Sequence, residues 1–108
     1  MTSYLISFPA RAMDVPEEEM ADVGQDAHAV IRAAQDAGVY VFGGGLVEDV
    51  PPVMVASDGA VTPGTYPETE DLDGGFTILD LPTREAAYEW AARLAVACRC
   101  AQEVREFM

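Results

Sequence analysis

The sequence predicts an α+β domain: an antiparallel sheet with two helices laid on one face. Three observations point there. Short apolar, β-branched or aromatic runs stand near both ends of the chain and beside its glycine clusters. Two longer stretches repeat apolar residues at three- and four-residue spacing, the period of a helix face. Between them, Asp58-Gly59 separates two valine-containing runs, the strongest short-range mark of a hairpin.

The elements follow in order. Tyr4-Leu5-Ile6-Ser7-Phe8 reads as a first strand, stopped by Pro9. Pro16 followed by Glu17-Glu18-Glu19 opens a helix, with carboxylates beside the positive end of its dipole. Met20, Val23, Ala27, Val30, Ile31 and Ala34 fall on one side of it. Gly24 inside that pattern costs about 1 kcal/mol relative to alanine, and Gly38 closes the helix as a left-handed cap. Val39 to Phe42 is a second strand ending in Gly43-Gly44-Gly45. Val53–Ala56 turns back into Ala60–Thr62, and a polar loop from Pro63 to Asp73 carries four carboxylates.

Phe76 to Asp80 is the next strand. Pro82 and Thr83 start the second helix, with Thr83 as N-cap and Glu85 in the first turn. Its buried stripe is Ala87, Trp90, Ala91, Leu94 and Ala95, and Ala101 to Phe107 closes the chain as a strand. The order is β-α-β-(hairpin)-β-α-β, a ferredoxin-like split β-α-β plan in one domain spanning 1–108.

Composition narrows the function. Nineteen acidic residues face six basic ones, for a formal charge of −13, while half the chain is apolar. That apolar half excludes general disorder. All six basic residues are arginines. Without lysine, Schiff-base chemistry and a phosphate-loop lysine are excluded; without a basic stripe, nucleic acid and anionic membrane surfaces are poor partners. No run reaches the ~18 apolar residues of a membrane span, and the N-terminus carries no export pattern, so the expected location is the cytoplasm. The alanine- and arginine-rich composition hints at a GC-rich bacterial genome. Cys98 and Cys100, with one distant histidine, lack the second ligand pair of a zinc site and are expected as unpaired thiols. The glycine clusters lack G-x-G-x-x-G spacing. No metal or cofactor is implied.

Strand alternation has a further consequence. Tyr4, Ile6 and Phe8 face one side and Leu5 the other; Tyr40 and Phe42 oppose Val39 and Val41; Phe76 and Ile78 oppose Leu79. Both sheet faces therefore carry large apolar groups, and two helices cover only one. The expected state is a homodimer, sheet against sheet.

From Gly64 to Phe107 the chain resembles the YCII-related domain family, and within it the branch named for a D-G-P-F motif. The branch pattern T-D-G-P-F-x-E-T-K-E-x-x-G-G-F aligns without a gap on residues Thr62 to Phe76. Glu89-Trp90-Ala91-Ala92-Arg93 matches the family's second helix and Glu103-Val104-Arg105 its last strand; upstream, Ala37-Gly38 and Gly43-Gly44-Gly45-Leu46 match its A-G…G-G-x-G-L strand. The motif aspartate is Pro63 here, its proline Thr65, its phenylalanine Tyr66 and its lysine Glu70, so no role resting on that aspartate or lysine carries over. Gly64, an aromatic at Tyr66, Glu68 and Thr69 survive. The resemblance implies a dimeric α+β barrel with a cleft between sheet and helices. Some relatives are proposed to use a His–Asp pair; His28, one position off that register, and Asp36 are the matching candidates. Some members of the branch are encoded beside sigma factors, an association without a mechanism.

His28 is the only histidine and the one side chain that ordinarily titrates near neutrality. It sits about 100° from the centre of its helix stripe, at the edge of the buried face. Tyr66, Glu68 and Gly64 share a turn-rich loop, where ligand contacts often lie. Two readings follow. One is a small-molecule site in the cleft, using His28, Tyr66 and Glu68, with general acid–base chemistry of lyase or isomerase type. The alternative is a non-catalytic interaction or regulatory module whose cleft is filled by its own side chains.

Overall fold

The computed structural model describes residues 1–108. Strand β1 (Thr2–Phe8) is followed by α1 (Met20–Asp36) and β2 (Tyr40–Gly45). The hairpin strands β3 (Val53–Val55) and β4 (Val61–Pro63) come next, then β5 (Gly75–Leu81), α2 (Arg84–Cys98) and β6 (Glu103–Glu106). The four outer elements form one sheet in the order β2-β5-β1-β6, antiparallel throughout, while β3 and β4 pair only with each other. This is the ferredoxin-like order with an inserted two-stranded arm. The α+β architecture expected from the sequence holds.

Register explains the core. β1 and β5 pair from Thr2 opposite Leu81 to Phe8 opposite Gly75, which sets Tyr4, Ile6, Leu79 and Leu81 on one face. All four are buried there against Ala34 of α1 and Ala87, Ala91 and Leu94 of α2. The alanines bring α2 close to the sheet. Thr83 caps α2, its Oγ1 accepting from the Ala86 amide at 3.1 Å. Gly38 ends α1 with φ +74°. Arg99 takes the left-handed position after α2 (φ 63°) that usually falls to glycine. Its guanidinium holds it there by donating to the Val96 and Ala97 carbonyls and pairing with Asp26 of α1 at 2.9 Å.

Several expectations need correction. α1 begins after a 3-10 turn at Glu17–Glu19 rather than at those glutamates. Cys98 ends α2 and Cys100 lies in the turn beyond it, both as free thiols. The register of β2 on β5 slips between Tyr40 and Phe42, so Tyr40 lies opposite Leu79 and Phe42 opposite Ile78. A bulge adds one residue and reverses which face follows. Tyr40 therefore joins the helix-covered face and Phe42 the bare one. The bare face is also mixed: Leu5, Phe42, Phe76 and Ile78 share it with Ser3, Ser7, Asp80, Glu103 and Arg105. Ser3 Oγ donates to Asp80 Oδ1, and Arg105 reaches Ser7 Oγ.

The subunit is thin and spread. Its extents are 43 × 38 × 19 Å and its radius of gyration is 15.2 Å, against roughly 13 Å for a compact domain of this length. Its accessible surface is 7309 Å2, where a monomer of 11.6 kDa should show roughly 5,800 Å2. Much of the excess is apolar: Val53, Val55 and Val61 of the arm are all more than half exposed, as is Phe42.

Candidate functional site

In the first two turns of α1 only Val23 is buried, and these turns line a space shared with residues at the ends of β1, β2 and β5. Further along, Ala34 is fully packed; earlier, Met20 and Ile31 stay partly open. Beneath them lies a cleft of about 570 Å3. Its roof is Met20, Val23, Ala27 and Ile31; its floor and walls include Phe8, Tyr40, Thr77 and the glycines of β2. So part of the stripe that reads as core in the sequence is the lining of a cavity.

Glycines make the space. Gly45 pairs with Gly75, and no atom lies within 4 Å of the point a β-carbon at Gly45 would occupy. A side chain at Gly75 would run into the Phe8 ring at 2.7 Å, so that ring lies over the missing side chain. Gly74 permits a different contact: a β-carbon there would stand 2.1 Å from the Phe8 carbonyl oxygen and 2.8 Å from the Ala10 amide nitrogen. The segment after β1 can cross Gly74 only because that residue is bare.

The polar lining comes mainly from one flank of α1. His28, Arg32 and Gln35 follow one another at spacings of four and three, which stacks them along the helix beside the opening. The Tyr40 hydroxyl lies above Gly43. Cys98 lies at the inner end, where burial pushes its thiol pKa up and keeps it protonated, unsuited to nucleophilic attack. No carboxylate lines the cleft, although the chain carries nineteen.

Arg32 stands apart among the arginines. Arg11 pairs with Asp71 at 2.7 Å, Arg84 with Glu106 at 2.8 Å, Arg99 with Asp26 at 2.9 Å and Arg105 with Glu103 at 3.2 Å. Arg93 lies over the Trp90 ring. Arg32 has no such partner, and nothing in the sequence distinguishes it from the other five.

His28 lines the cleft while remaining exposed, as its edge position on the helix suggested. Asp36 does not join it. Eight residues of helix separate the two, about 12 Å of axial rise, which is beyond hydrogen-bond reach. Gly64, Tyr66 and Glu68 lie past the arm and line no part of this cleft. Gly64 has φ +107° and donates its amide to the Pro52 carbonyl. Tyr66 is exposed, its carbonyl accepting from the Thr69 amide and hydroxyl. Glu68 forms no ion pair.

A second hollow, about 740 Å3, lies at the root of the arm. It is larger but less suited to a ligand: Glu48, Glu70 and Asp73 line it and its one arginine, Arg11, is taken by Asp71. No cluster of three or more His, Cys, Asp or Glu side chains stands ready to hold a metal ion, and no helix is long and apolar enough to cross a membrane.

The fold and cleft define a small ferredoxin-like α+β protein with a ligand-sized cavity between its first helix and its sheet. The chain belongs to the YCII-related domain family, which matches residues 3–107. None of the curated proteins matches it. Among solved structures it is similar to 5-chloro-2-hydroxyhydroquinone dehydrochlorinase from Burkholderia phenoliruptrix AC1100, in complex with 2,5-dihydroxybenzoquinone. The identity is 16%, coverage 98% of this chain and 93% of that one, and the TM-score 0.47.

Proposed function

We propose that the cleft under α1 binds a small organic molecule, and that two copies of the chain pair through the bare sheet face and the arm. The cleft itself carries the first part. Its volume lies within the usual range for small-molecule sites, its walls are largely apolar, and its polar groups converge on one edge. A module whose cleft was merely packing would have filled it.

The surface excess supports the second part. Roughly 1,500 Å2 more than a compact monomer should expose exceeds the ~800 Å2 per partner that a stable interface buries. Phe42, Ile78, Leu5 and the arm valines are the groups to cover. Gly64, Tyr66 and Glu68 can contact a ligand only if that pairing carries their loop to the partner's cleft. His28, at the cleft edge, is our candidate for general acid–base chemistry, acting without Asp36.

Gly45→Val tests the site. The new side chain has open space, so folding should be unaffected while the cleft is obstructed. Methyl NMR of Met13 and Met20, both in the lining, reads binding from a panel of aromatic fragments. Fragments should shift these methyls in the parent protein and not in the variant. Shifts that survive in Gly45→Val, or none in either, contradict the proposal. Once a substrate is found, unchanged turnover in His28→Ala removes the acid–base role.

The exposed arm favours one other reading, an interaction module whose partner is a different protein. A light-scattering mass of 11.6 kDa would favour it; twice that mass supports the homodimer.

A further inference from the structure

We infer that the ligand of the cleft is a small carboxylate with a flat, apolar body, and that Arg32 is the residue that selects it. The assignment rests on the cleft being a ligand site, as proposed above. It begins with an imbalance. In a chain of charge −13, acidic groups outnumber arginines about threefold, and the other arginines are held by a carboxylate or an aromatic ring. Arg32 alone is unpaired, even though Asp36 stands one helical turn away. It lies where no carboxylate lines the cavity.

An arginine at the edge of an apolar cavity carries a charge without a counter-charge. Its planar fork of donors matches a carboxylate through two parallel hydrogen bonds, a geometry no neutral oxygen reproduces. Gln35 and His28, three and four residues away on the same flank, add donors beside it. The remainder of the cavity sets the body of the ligand. Gly43, Gly44 and Gly45 present bare backbone, a flat surface, and the Phe8 ring over Gly75 adds a wall. Flat groups stack on such walls; Met13 and Met20 adapt to the outline.

Benzoate and its neutral analogue benzamide are the probes, titrated into the full-length protein and followed through the Met13 and Met20 methyl resonances. Benzoate should bind at least about tenfold more tightly than benzamide, as expected for a charge-assisted pair over a neutral one. Arg32→Gln should erase that preference while leaving benzamide binding and the melting temperature unchanged. Arg11→Gln, at the arginine of the other hollow, should preserve the preference. Equal affinity for the two probes, or a preference that persists in Arg32→Gln, overturns the carboxylate assignment and leaves the cleft as a binding site. If no aromatic probe of any charge moves the two methyls, the cleft reading falls and takes this assignment with it.

Discussion

Replacing Gly74 with alanine should be among the most damaging conservative changes in this chain. The β-carbon would stand 2.1 Å from the Phe8 carbonyl oxygen, where ordinary contact begins at 3.4 Å, a shortfall of 1.3 Å against backbone on three sides. No rotamer relieves a β-carbon, so the chain must part. Two hydrogen bonds lie on that seam: the Leu46 amide donates to the Gly74 carbonyl at 2.9 Å, and the Ala10 amide to Asp73 Oδ1 at 3.0 Å. Overpacking costs about 1–3 kcal/mol and each of the two strained bonds about 0.5–1.5 kcal/mol, which gives roughly 2–6 kcal/mol in all. For a domain of this size that lowers the melting temperature by about 10 °C or more. Fluorescence of Trp90, the only tryptophan, follows the transition. Gly24→Ala is the matched control. It lies in α1 with nothing within 4 Å of the new carbon, so the same substitution should stabilise by about 1 kcal/mol. Equal melting of Gly74→Ala and the parent protein would refute the close-approach argument.

Phe42→Asp places a charge on the bare sheet face, at a side chain 67% exposed in the single chain; the light-scattering mass should fall from twice 11.6 kDa to 11.6 kDa, and an unchanged dimer would exclude that face from the interface. Because each copy carries −13, pairing should tighten as added salt screens the repulsion, measured as the dimer dissociation constant across ionic strength. The Arg84 guanidinium holds the Glu106 carboxyl below its usual range. A depressed folded pKa contributes stability that is present above the unfolded carboxylate value and lost as pH falls through the folded one. The melting temperature of Arg84→Ala should therefore fall less steeply with acidification than that of the parent, and parallel acid limbs would contradict the linkage.

The element order was legible because each signal is local. Thr83 caps α2, Gly38 closes α1 and Asp58-Gly59 turns the arm through chemistry contained within a few residues. His28 was legible for a similar reason, since its position at the edge of the α1 stripe follows from the helical period alone. The role of Arg32 was not. Its distinction lies in what the other arginines touch, and those partners are 2 to 73 residues away in the chain. The loop residues Tyr66 and Glu68 drew attention through motif resemblance, yet the fold sends that loop beyond the arm. The separation of His28 from Asp36 could have been read in advance, because one helix carries both and its rise per residue is fixed.

The bulge in β2 shows how one residue settles the relation between the two proposed activities. With perfect alternation, Tyr40 and Phe42 would share a face, and the chain would have to spend both aromatics on either the cleft or the interface. The slip at Val41 divides them: Tyr40 goes to the cleft wall and Phe42 to the bare face. It also sets Gly43 and Gly45, opposite Thr77 and Gly75, on the cleft side, where side chains would fill the space. The proposed ligand cavity and the proposed dimer surface are thus opposite sides of one edge strand, about one sheet thickness apart. Deletion of Val41 removes the extra residue while leaving Tyr40 opposite Leu79 and Phe42 opposite Ile78, so fragment binding and pairing should both persist in the variant. If the deletion variant folds but loses either one, the slip at Val41 does more than divide the two aromatics between the faces.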